Sequence, residues 1–140
     1  MKITSLLVIL GLFMYPAFNA VGADSDAEKA GTAAARKWLS LIDSGGYSRS
    51  WKEASTYFQG AVSEKNWKAS LDGVRKPLGK LVSRKVKTVK EAEELPSAPD
   101  AQYVVIQFET SFENKKSAIE TVAFMLQKDG KWKAAGYFIK

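Results

Sequence analysis

Apolar residues along the chain recur with two different periods, and the change between them divides the sequence. From Asp24 to Asp43 the chain is rich in alanine, and Ala30, Ala34, Trp38 and Leu41 recur at spacings of 4, 4 and 3. That spacing predicts one face of a helix. Asp43-Ser44-Gly45-Gly46 ends it, because glycine adopts the left-handed cap conformation at little cost. A second stripe, Tyr47, Trp51, Ala54 and Phe58, predicts another helix, with Ser48 or Ser50 offered as cap and Gly60 as stop. Ser63, with Glu64 in the first turn, opens a third, whose stripe is Trp67, Leu71 and Val74 and which Pro77 and Gly79 terminate.

Beyond Gly79 the period falls to two. Val82, Val86 and Thr88 alternate with Ser83, Lys85 and Lys87, which reads as a strand with one wet face. The segment 91–100 holds Pro96, Pro99 and four acids and reads as an exposed loop. Val104, Ile106, Phe108, Thr110 and Phe112 alternate with Tyr103, Gln107, Glu109 and Ser111, a strong strand signal. The run 117–127 is apolar on both faces, as a central strand would be, and Asp129-Gly130 predicts a tight hairpin into a last strand, 131–139. Short turns between these runs require antiparallel pairing. The expected fold is α+β: three N-terminal helices packed on one face of a four-stranded antiparallel sheet.

The first 23 residues carry a different pattern. Met1-Lys2 is a short basic start, Ile3 to Tyr15 is nearly continuous apolar sequence, and Val21-Gly22-Ala23 puts small residues before Asp24. This is the layout of a cleaved signal peptide. The apolar run is shorter than the roughly 20 residues a bilayer span needs. The expected organisation is therefore a signal peptide over 1–23 and one α+β domain over 24–140, exported to the periplasm or secreted, with no transmembrane span after cleavage.

Composition narrows the chemistry. The chain has 140 residues, 46% of them hydrophobic, and contains neither histidine nor cysteine. Disulfides, thiol nucleophiles, imidazole bases and Cys/His metal centres are excluded, and no cofactor or metal is implied. An exported domain without disulfides must be held by packing, and four Trp, five Tyr and seven Phe supply the area.

The helical segment resembles a known family. Trp38-Leu39-x-Leu41-Ile42-Asp43, then Tyr47, Ser50-Trp51, Phe58, Trp67 and Arg75-Lys76-Pro77-Leu78-Gly79, are similar to domain-of-unknown-function family 4019, a group of exported bacterial proteins. The resemblance implies no assigned function. The order of helices followed by a curved sheet is similar to cystatin-like and nuclear-transport-factor-like folds, which is an analogy of architecture alone.

Three groups of residues are candidates for function. Trp38, Tyr47, Trp51, Phe58 and Trp67 form either core or the lining of a pocket for a small apolar ligand; their periodicity favours core. Asp43 and Arg75 form either a buried pair tying two helices together or, through the Arg75 fork, a grip on a ligand carboxylate or phosphate; the structural role is favoured. Lys76, Lys80, Arg84, Lys85 and Lys87, with Lys131 and Lys133, form a basic patch in a chain of net charge +6. Such a patch attracts anionic envelope components, and on an edge strand it also blocks aggregation. No nucleic-acid recognition motif accompanies it. The reading is an exported non-catalytic binding or interaction module, more a binder than an enzyme. The alternative is an acid–base enzyme, of isomerase or hydrolase type, using a pocket carboxylate, for which Glu109 and Glu120 are the inward-compatible candidates.

Overall fold

The computed structural model describes residues 24–140; the expected signal peptide lies outside the described residues. Among the described residues, four α-helices and one 3-10 turn precede the sheet: α1 (Asp26–Asp43), α2 (Tyr47–Lys52), α3 (Thr56–Ala61), α4 (Glu64–Val74) and the turn Lys76–Leu78. The four strands are β1 (Leu81–Ala92), β2 (Tyr103–Phe112), β3 (Lys115–Leu126) and β4 (Trp132–Ile139). They pair antiparallel in the order β1-β2-β3-β4, so the α+β architecture is as expected, with β1 and β4 as edges.

Local chemistry explains the helices. Ser25 and Glu28 form a reciprocal capping box at the start of α1: the Ser25 Oγ accepts from the Glu28 N–H at 3.1 Å, and Glu28 Oε1 accepts from the Ser25 N–H at 2.8 Å. The face α1 buries lies one residue away from the expected stripe. Gly31, Ala35, Trp38, Leu39 and Ile42 are buried, whereas Ala30 is exposed and Ala34 and Leu41 are half-buried. Gly31 accounts for the shift. A Cβ there would sit 2.8 Å from Val104 Cβ, so the helix touches β2 through bare backbone.

The helix expected over Tyr47 to Gly60 is two. Ser55 divides them, accepting from the Phe58 N–H at 3.0 Å as the cap of α3 while its own N–H donates 3.0 Å to the Ala134 carbonyl of β4. That bond fastens α3 to the edge of the sheet. Ser63 caps α4, as expected.

β1 departs from simple alternation. Its register with β2 slips between Leu81 and Ser83 and again between Val86 and Thr88, which leaves Val82 and Lys87 as extra residues. The pairing then sets Arg84 opposite Thr110 and Val86 opposite Phe108, on the helix-covered face, and Thr88 opposite Gln107 on the other. Val82, expected on the apolar side, is 65% exposed. The segment after β1 is not a free loop either. Leu95 is buried against Tyr103, Val105, Ala123, Met125 and Ala135 on the outer sheet face. The phenol groups of Tyr57 and Tyr103 donate to the carbonyls of Ser97 and Pro99, pinning this strap across the sheet.

Candidate functional site

The main core lies between the helices and the inner sheet face, and its centre is aromatic. Trp38 and Trp67 stack at 6.0 Å, with Phe58, Phe124 and Tyr137 meeting Trp38 edge-on at 5.8 to 6.1 Å. The indole N–H groups are satisfied internally. Trp38 Nε1 donates to the Ser50 carbonyl at 2.8 Å and Trp67 Nε1 to the Ser50 hydroxyl at 2.9 Å, and that hydroxyl donates to the Tyr47 carbonyl. Trp51, half-buried, donates to the Val62 carbonyl at 2.7 Å. The structure therefore brings Trp38, Phe58 and Trp67 together as packed core, with Tyr47 and Trp51 at its margin.

Beside this core runs a chain of four charged side chains, each from a different part of the fold. Asp43 ends α1, Arg75 follows α4, Arg84 lies on β1 and Glu120 on β3, with Thr110 of β2 against the last. Arg84 is the hinge of the set. Its Nε and Nη2 donate to the two oxygens of Glu120 at 2.7 and 3.1 Å, while Nη1 and Nη2 donate to the two oxygens of Asp43 at 2.7 and 3.0 Å. Asp43 also accepts from Arg75 Nη2 at 3.2 Å. Glu120 further accepts from the Thr110 hydroxyl at 2.7 Å and from the Tyr137 phenol. Arg75 donates to the Gly79 carbonyl at 2.5 Å and lies 4.4 Å over the Phe112 ring, while its Nε, buried, has no partner.

Two guanidinium groups face two carboxylates, so the set is formally neutral. It reaches solvent at Asp43, whose side chain is 16% exposed, and is closed at Glu120, at 0%. Charges this deep carry a large desolvation cost, which is offset only when every lone pair is engaged. Burial by itself disfavours the Arg84 cation, but hydrogen bonds from its guanidinium to Asp43 and Glu120 outweigh that and hold it charged more firmly than in water. Burial likewise pushes the Tyr137 phenol well above its ordinary value, and the neighbouring Glu120 carboxylate pushes it further. Tyr47, at the rim, is raised by burial, with Arg75 opposing.

The sequence paired Asp43 with Arg75, and the structure makes that contact. It missed that Arg84 and Glu120 complete the set. Arg84 belongs to the expected basic patch, but it shares the inward face of Val86 by simple alternation, opposite Thr110, and its side chain is 7% exposed. The remaining patch residues do not assemble into one surface either. Lys76, Lys80, Lys85 and Lys87 are exposed along the turn and β1. Lys131 and Lys133 lie at the start of the opposite edge strand, diagonally across the sheet. Of the two candidate carboxylates, Glu120 points inward; Glu109 faces outward, 3.5 Å from Lys85.

These features define a small α+β domain whose polar centre is an internal ion network rather than an open cleft. The family model for proteins of unknown function (DUF4019) matches residues 34–137, and the chain belongs to that family. No curated protein matches the chain. Among the described residues, no helix is long and apolar enough to cross a membrane.

Proposed function

We propose that the chain is an exported, non-catalytic binding or interaction module of the bacterial cell envelope, working in the periplasm or outside the cell. The observation that carries the non-catalytic part is the state of Glu120. This inward carboxylate is fully buried, with both oxygens occupied by Arg84, Thr110 and Tyr137. A general base needs a free lone pair within reach of substrate. The export part rests on the basic, apolar and small-residue segments of the first 23 residues.

One observation favours the alternative, an acid–base enzyme: Glu120 and Tyr137 are the residue types that a carboxylate base and an oxyanion donor require, and they touch. Using them would require Arg84 to leave. A screen of small apolar and anionic compounds, followed by tryptophan fluorescence and by turnover, separates the two. Binding without turnover supports the module. Turnover abolished by Glu120→Gln in a protein that still folds supports the enzyme. Export is tested by cell fractionation with the mass of the recovered chain; a cytoplasmic chain still carrying Met1 overturns it.

A further inference from the structure

We propose that one end of the domain, built from the 3-10 turn Lys76–Leu78, the start of β1 and the β2–β3 hairpin, docks on an anionic lipid surface. The inference rests on the reading of the chain as an envelope protein and adds the partner and the surface that meets it.

The end is rigid. The Asn114 N–H donates to the Leu78 carbonyl and its side-chain amide to the Pro77 carbonyl, each at 2.9 Å. The Glu113 N–H donates to the Lys80 carbonyl at 2.9 Å, and the Lys80 N–H returns to Glu113 Oε1 at 2.7 Å. Four hydrogen bonds thus knit the turn to the hairpin tip, and they bring Lys76 and Lys80 beside Lys115 and Lys116, which begin β3. Among the described residues none of these four lysines forms an ion pair. Two acids are near: Glu113, whose carboxylate is tied to backbone, and Asp72, one turn before Lys76 on α4.

Two exposed apolar side chains sit among the lysines. Pro77 lies between Lys76 and Lys80, and Val82, displaced by the β1 bulge, lies two residues beyond Lys80. A soluble polyanion offers apolar side chains nothing. A bilayer surface takes both, lysines at the headgroups and small apolar groups at the acyl boundary. The charge is also polarised. The opposite end carries Glu91, Glu93, Glu94 and Asp100, and α1 begins there with Asp26 and Glu28, as the bond from the Ser25 hydroxyl to Glu91 shows; Lys128, Lys131 and Lys133 share that end at its β3–β4 corner. An anionic surface would attract the Lys76–Lys116 end and repel the acidic β1–α1 corner of the other, which biases the orientation of docking.

The test is sedimentation of the full chain with vesicles of phosphatidylcholine alone or mixed with phosphatidylglycerol. Binding is expected only to the mixed vesicles, and it should fall steeply as salt shortens the screening length from about 10 Å at 0.1 M to about 3 Å at 1 M. Each lysine neutralised near such a surface is expected to cost roughly fivefold in partitioning, so Lys76→Gln with Lys80→Gln should lose about 25-fold. Lys131→Gln with Lys133→Gln, the same change in net charge at the diagonal corner, should leave binding unchanged. Val82→Ser should weaken binding to mixed vesicles and leave binding to inorganic polyphosphate unchanged. Lys116→Gln serves as a second variant should the Lys76 and Lys80 pair unfold. Equal loss from both lysine pairs, salt-insensitive binding, equal binding to both vesicle types, or a Val82→Ser variant that binds as well as its parent each overturns the proposal. A chain that is exported yet ignores the mixed vesicles defeats this inference alone; a chain that binds them but stays in the cytoplasm defeats the export reading instead.

Discussion

At the scale of single residues, the network from Asp43 to Tyr137 decides what the interior tolerates. Removing one member of a buried ionic set strands its partner, whereas replacing both by apolar groups of similar shape is often neutral. Glu120→Gln is expected to cost about 3 kcal/mol, because Arg84 loses one of its two counter-charges in a site closed to water. Arg84→Met combined with Glu120→Gln should cost less than the sum of the two single changes, as read by denaturant unfolding in a double-mutant cycle. Additive losses would mean that the two groups do not act as a pair. Tyr137 adds a pH dependence. Its phenol ionises near 10.0 in an unfolded chain and well above that when folded. Below about pH 10 its contribution is fully present; above it the unfolded state releases a proton that the folded state keeps, so stability falls as pH rises, by up to about 1.4 kcal/mol per pH unit. Tyr137→Phe should flatten that alkaline slope while lowering stability at neutral pH. An unchanged slope would show that the other tyrosines cause it. Half of this network was legible beforehand. Asp43 and Arg75 lie at helix ends beside the tryptophan motif, where a charge must be buried or capped. Arg84 shares the parity of Val86, so its inward face was within reach of the pattern; its place among lysines hid it, because a lone cation on an apolar face signals burial only when its counter-charges, Asp43 and Glu120, are known.

At the scale of elements, the two periods identified the helical region and the first two strands, because burial on one face imposes them directly, while a two-faced apolar run gave the third strand and Asp129-Gly130 the fourth. Errors arose where a backbone detail outweighed side-chain pattern. The break at Ser55 was invisible in the stripe Tyr47-Trp51-Ala54-Phe58, since the two short helices keep nearly the same face toward the core. The serine that caps one of them reads as an ordinary small polar residue. Gly31 has no side chain and so adds nothing to an apolar stripe. Glycine disfavours helix interiors by about 1 kcal/mol relative to alanine, so a scale of propensities treats it as a weakness. Here it is the point of closest approach between α1 and β2. Gly31→Ala should therefore destabilise the domain despite its better propensity, since overpacking costs about 1–3 kcal/mol and Val104 sits 2.8 Å from the new methyl. The check is its melting temperature beside that of Ala33→Gly, an exposed position on the same helix, where only propensity acts. A Gly31→Ala variant more stable than its parent would show that α1 can move off the sheet at little cost.

At the scale of the molecule, the absence of disulfides makes the aromatic core the main link between the helical layer and the sheet. Trp38 belongs to α1 and Trp67 to α4, yet both pack on Tyr137 of β4, and Trp38 also meets Phe124 of β3. The ion network crosses the same boundary, joining Asp43 and Arg75 on the helical side to Arg84 and Glu120 on the strands. Neither layer can leave without exposing those rings and stranding those charges. A single cooperative transition is therefore expected for the folded domain. Tryptophan fluorescence reports the ring cluster at the interface, and far-ultraviolet circular dichroism reports the backbone of both layers. The two should give the same midpoint and slope in urea. A fluorescence transition that precedes the loss of backbone signal would mean that the helices detach from an intact sheet, and that packing between the layers is weaker than the aromatic contacts imply.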